Sequence, residues 1–115
     1  METTTNELKP SITYDDYLKL DIRVCLITSV EKIEKYDRLY KLEINTGVDT
    51  RTVVSGIAEQ FTPEQLLNRK IPFVLNLEPR KVGGIISQGM IFMASDSNNK
   101  LFEFGNQDAE VGSKS

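Results

Sequence analysis

Histidine is absent from the 115 residues, and cysteine occurs once, as Cys25. The first absence removes Ser-His and Cys-His nucleophile pairs, imidazole bases and every histidine-containing metal site. The second removes an internal disulfide and a thiolate zinc cage. Long apolar runs are missing too, none approaching the roughly 18 residues of a membrane helix, so no membrane partner is expected. The start, METTTNELKPS, lacks the basic beginning and the apolar core of a secretory signal, so none is expected. With one unpaired cysteine, a cytoplasmic protein is expected. The carboxylate pair Asp15-Asp16 has no apolar surroundings in sequence to raise a pKa, so no acid–base couple is in evidence. These absences favour a binding module over an enzyme, with no cofactor and no metal.

What remains is ordinary for one folded domain. A chain of this length buries roughly two-thirds of its unfolded surface. Hydrophobic residues make up 39% and charged residues 27%, too balanced for wholesale disorder. The net charge of −3 argues against strong non-specific attraction to nucleic acid. Charge is unevenly placed, however. Residues 1–18 carry Glu2, Glu7, Asp15 and Asp16 against Lys9 alone, whereas residues 69–81 carry Arg69, Lys70, Arg80 and Lys81 against Glu78 alone.

Residues 1–11 are polar and Thr-rich and are expected to form a flexible N-terminal arm, with the folded domain spanning 12–115. Thr13 is placed to cap a helical turn over Asp15–Leu20. From Ile22 the period becomes two: Ile22, Val24, Leu26 and Thr28 alternate with Arg23, Cys25, Ile27 and Ser29, the mark of a strand. Leu39–Asn45 repeats that alternation, Thr46–Asp49 supplies a turn, and Arg51–Ser55 reads as the returning strand. Thr62-Pro63-Glu64-Gln65 is a capping box with Pro at the first helical position, predicting a short helix through Leu67 that Asn68 stops. Lys70–Asn76 reads as a strand whose Pro72 places it at an edge or bulge. Pro79–Gly84 reads as a basic loop, Ser87–Ala94 as a strand, Asp96–Asn99 as a turn and Lys100–Phe104 as a last strand. Five or six short strands with one helix between the third and fourth describe an all-β OB-fold: a five-stranded Greek-key barrel with terminal extensions, whose face and loops bind oligonucleotides or other ligands.

Arg80 and Lys81 stand at a strand end before paired glycines, where they suit a phosphate backbone as well as they suit a solvated turn. Ser55, Asn76 and Ser87 either satisfy neighbouring backbone or line a shallow pocket that reads base edges and ribose hydroxyls. Met90 is either an apolar platform beside them or core filler. The alternating charges of 31–38 make a soluble loop, or a rim presenting Lys32, Lys35 and Arg38 with Tyr36 available for stacking. Cys25 reads as a small packed residue.

Six segments recur in one order in a known module: Asp21–Val24, Asp37–Leu42, Arg51–Ala58, Thr62–Leu66, Asn76–Lys81 and Ser87–Met90. The chain from Ile12 to Lys114 closely resembles the tRNA-binding domain found at the C-terminus, or as the separate beta subunit, of methionyl-tRNA synthetases. The same module occurs in the endothelial-monocyte-activating-polypeptide group and in CsaA-type secretion chaperones. The resemblance implies a non-catalytic tRNA-binding protein, a homodimer, serving as accessory subunit to a methionyl-tRNA synthetase catalytic subunit. By position it implies tRNA contacts at Ser55, Asn76, Arg80, Lys81, Ser87 and Met90, with Lys32, Lys35 and Arg38 as further contacts. The alternatives it leaves open are a CsaA-like chaperone for unfolded preproteins and a dimerisation module whose RNA face has decayed. Two positions depart from the pattern. Cys25 stands where Gly is usual, implying that the first strand lacks a bulge there, and Glu78 stands where Lys is common. That reversed charge and the overall acidity imply affinity for tRNA only near the micromolar range.

Overall fold

The computed structural model describes residues 7–105 and 107–115; of the expected arm, residues 1–6 therefore lie outside the described residues, and 7–11 are exposed with no helix or strand. Helix α1 (Tyr14–Leu18) opens with a complete capping box, the Thr13 hydroxyl accepting from the Asp16 amide and the Asp16 carboxylate from the Thr13 amide. Strand β1 (Ile22–Lys32) carries the barrel. Its Cys25 and Ile27 are fully buried, while Ile22, Val24 and Leu26 are half-buried on the opposite face. The strand pairs regularly through Cys25, and its bulge falls between Ile27 and Ser29 instead. Beyond that bulge the parity changes, and Val30 packs against the core.

The bend lets β1 serve two neighbours. Residues Leu26–Lys32 pair with β2 (Tyr40–Asn45), and Ile22–Leu26 pair with β4 (Lys70–Val74). Strand β3 (Thr50–Ser55) returns beside β2 in register Tyr40↔Ser55 to Asn45↔Thr50. The Thr46 hydroxyl, fully buried, accepts the Asp49 amide at 3.0 Å and fixes the intervening turn. Helix α2 (Pro63–Leu66) has the expected capping box of Thr62 and Gln65; Asn68 ends the turn at φ 65°. Leu66 is fully buried in the barrel core with Ile27, Leu42, Ile44, Val53, Ile71 and Phe73.

The five-stranded sheet is ordered β3-β2-β1-β4-β7, all pairs antiparallel, with β7 at Met90–Ile91. Pro72 therefore sits in a strand flanked on both sides, not at an edge. It opposes Val24, whose amide and carbonyl turn away to Ser113 and Gly112 at 2.8 Å each, so no ladder bond to β1 needs a Pro72 N–H. The barrel nearly closes where Gln88 donates its amide to the Thr52 carbonyl at 2.8 Å. The expected basic loop is a hairpin, β5 (Arg80–Val82) and β6 (Ile85–Ser87). The expected continuous strand from Ser87 is broken into the end of β6, β7 and β8 (Met93–Ser95); β8 pairs with β9 (Leu101–Glu103). At the break the backbone passes so close to β4 that only glycine fits, since a Cβ on Gly89 would lie 2.9 Å from the Val74 carbonyl oxygen.

Candidate nucleic-acid interface

The β5–β6 hairpin turns on Gly83 and Gly84, whose φ values of 59° and 83° match the two-residue turn that follows strand twist. Arg80 and Lys81 project from this hairpin, exposed, and neither makes an ion pair among the described residues. The tip rests on the β1–β2 loop: a Cβ on Gly83 would stand 2.9 Å from Leu39 Cδ1 and 3.5 Å from Tyr36 Cδ2. That loop is itself compact, with the Tyr36 amide bonded to the Ile33 carbonyl at 3.1 Å and the Leu39 amide to the Tyr36 carbonyl at 3.0 Å. Lys32, at the end of β1, and Lys35, on the loop, are exposed without ion pairs among the described residues, whereas Arg38 pairs with Glu59 at 2.8 Å on the open surface.

Beneath the hairpin runs a groove of about 350 Å³ lined by Ser55, Arg80 and Met90 together with Leu39, Val54, Gly56, Ile57, Val82, Ile91, Met93 and Leu101. Three of the residues singled out in the sequence thus converge from three different strands. The apolar walls Val82, Met93 and Leu101 were not singled out. Val82 sits in a three-residue strand between cations and glycines, too short to show a period. Ser55 is half-buried, and its hydroxyl makes no hydrogen bond among the described residues.

Asn76 and Ser87 stand apart from the groove's lining. Asn76 Oδ1 accepts the Asp21 amide at 2.8 Å and its Nδ2 donates to the Lys19 carbonyl, tying the end of α1 to the end of β4. Ser87 is buried; its Oγ accepts the Val54 amide at 3.0 Å and donates to the Gly89 carbonyl at 3.3 Å. A further bolt escaped the sequence reading. Arg51 Nη1 donates to the Leu75 carbonyl at 2.6 Å, while its Nε reaches Asp49 at 3.3 Å.

Local hydrogen bonds and burial shift the ionisation of three side chains. The Thr13 amide and the Lys19 ammonium hold Asp16 below the usual carboxylate range, and the Thr46 hydroxyl does the same for Asp49. Burial pushes the Cys25 thiol up to about 12, away from nucleophilic use. Among the described residues no cluster of three or more His, Cys, Asp or Glu side chains is placed to hold a metal, and no helix is long and apolar enough to cross a membrane.

A family model described as "Putative tRNA binding domain" matches residues 22–114. A methionine–tRNA ligase of Cytophaga hutchinsonii is 49% identical over 94 residues, covering 82% of this chain and 14% of that protein. The ligase of Flavobacterium johnsoniae is 43% identical over 103 residues, 90% of this chain and 14% of that protein. The chain thus spans about one-seventh of the length of the curated relatives it matches. Among solved structures, a MetRS-related protein from Pyrococcus horikoshii superposes with TM-score 0.88 at 34% identity, covering 93% of this chain and 99% of that one. The CsaA chaperone protein of Picrophilus torridus gives TM-score 0.81 at 27% identity, over 90% of this chain and 98% of that one.

Proposed function

The chain belongs to the putative tRNA-binding domain family, and from that premise we propose that it holds tRNA without catalysing its chemistry. The supporting observation is the pair Arg80 and Lys81, exposed and unpaired among the described residues on a hairpin braced against the β1–β2 loop. Arg offers two parallel donors to a phosphate and Lys a mobile point charge. Phosphate contacts of this kind set register and orientation on the RNA rather than reading its sequence. Lys32 and Lys35 extend the same rim, while Arg38 contributes less because Glu59 neutralises it. Ser55 and Met90 touch the RNA beside the hairpin; Asn76 and Ser87 act from beneath, keeping the strand ends in place.

In this reading the protein is an accessory partner of a methionine–tRNA ligase catalytic subunit in the cytoplasm, and two copies pair to present two such faces. The net charge of −3 keeps its own affinity near the micromolar range, leaving specificity to the partner. Titration against bulk tRNA at several salt concentrations tests this. The expected result is affinity that falls linearly with log salt, and a slope reduced by up to about two in the Arg80→Ala, Lys81→Ala double variant. An unchanged slope removes those two residues from the RNA face, and no binding at low salt ends the reading. The likeness to CsaA and the apolar groove support a second reading, capture of unfolded polypeptide. Salt-insensitive binding of an unfolded protein that competes poorly with tRNA would favour it.

A further inference from the structure

We propose that the groove beneath the β5–β6 hairpin takes one unstacked nucleobase, so that the protein recognises a single-stranded stretch of RNA in addition to its phosphates. This rests on the tRNA-holding reading and deepens it. A base has two apolar faces, a polar edge and a phosphate a few bonds away. The groove offers the same three features. Its walls include Leu39, Val82 and Met93, its one side-chain hydroxyl is Ser55 Oγ, and Arg80 stands at its lining. The hydroxyl has no hydrogen-bond partner among the described residues, and a half-buried polar group left open is suited to a ligand's edge. The volume of about 350 Å³ lies at the small end of ligand pockets, enough for one ring system and not for a stacked run.

Charge decides between the possible occupants. An apolar peptide side chain fits the walls but leaves Arg80, the cation of the lining, without an anion. A nucleotide brings a phosphate to it as well as a base to the walls. Tyr36, half exposed beside Gly83, provides a ring at the hairpin tip on which the adjoining base can stack.

The test uses labelled single-stranded oligoribonucleotides of about eight residues, within the site size of one such barrel, in which each base in turn is replaced by an abasic position. Removing the inserted base is expected to weaken binding about tenfold, with the salt slope unchanged because no phosphate is lost. Gly56→Leu fills the groove: Gly56 lines it, its φ is not positive, and a Cβ there meets only Leu39 Cδ2 at 4.0 Å. That variant should bind the intact and abasic strands alike. Ser55→Ala, a milder change, should cost intact RNA about threefold and abasic RNA nothing.

Equal affinity of the unaltered protein for every abasic strand overturns the proposal while leaving the phosphate contacts standing. So does a Gly56→Leu protein that still discriminates. A free nucleoside monophosphate that binds as tightly as the strand reassigns the groove to a nucleotide, and an apolar peptide that displaces RNA from it reassigns it to polypeptide; either result overturns the proposal. Loss of all RNA binding at low salt is a separate outcome that removes the parent reading.

Discussion

The Ser87 hydroxyl serves the barrel seam, meeting an amide of β3 that would otherwise be buried without an acceptor. Asn76 does comparable work at the far end of β4, while Ser55, chemically equivalent to Ser87, keeps its hydroxyl open in the groove. Two serines at strand ends thus have opposite availability, and nothing local in the sequence distinguishes them. Cys25 is the residue whose environment predicts a pH response. Its thiol is raised by burial from 9.0 to about 12, so the folded protein keeps the proton that the unfolded chain gives up. The stabilisation is therefore complete below about pH 9 and is lost as pH rises towards 12. Urea midpoints measured across that window should fall with pH in the natural protein and fall less in Cys25→Ala. Native Cys25 should also resist alkylation under mildly alkaline conditions until the protein unfolds, because burial blocks both access and ionisation.

Elements long enough to show a period, or bounded by a capping box, were legible in the sequence. Helices α1 and α2 start at Thr13 and Thr62 because a hydroxyl there satisfies an amide that the first turn leaves open. The hairpin β5–β6 was read as a loop since three-residue strands display no alternation, and Val82-Gly83-Gly84-Ile85 looks like flexible chain until its ends pair. Its two glycines have unequal roles. Gly83→Ala should strain a left-handed turn and press a methyl against Leu39, displacing the tip from the β1–β2 loop. Gly84→Asn places its side chain where nothing lies within 4 Å, and Asn tolerates a positive φ. Thermal unfolding should show a cost of about 1 kcal/mol or more for the first and little for the second. Binding of tRNA should weaken in parallel, since the hairpin carries both cations.

At the scale of the whole molecule, the C-terminal segment closes the exposed edge of β1. Gly112, Ser113 and Ser115 bond to Val24 and Ile22, while the Gln107 side chain pairs with both backbone groups of Lys70 at 2.9 Å each. Deleting residues 107–115 strips these partners from two strands. Each bond is worth about 1 kcal/mol net, so the truncated protein should lose at least about 2 kcal/mol and, with an open strand edge, scatter light on heating. Unaltered melting would show that the strap only lies on the surface. The alternation of β1 to β3, the two capping boxes, the family's ordered segments and the cations of 80–81 were set by the sequence alone, because each depends on neighbours within a few positions. Which polar side chains face a ligand was decided only by barrel closure. The bonds from Val54 to Ser87, Thr52 to Gln88 and Arg51 to Leu75 join residues 33, 36 and 24 positions apart. A local period carries no information about such pairings, which, with the Val74↔Met90 and Arg80↔Ser87 registers, bring Ser55, Arg80 and Met90 into one groove while Ser87 turns inward.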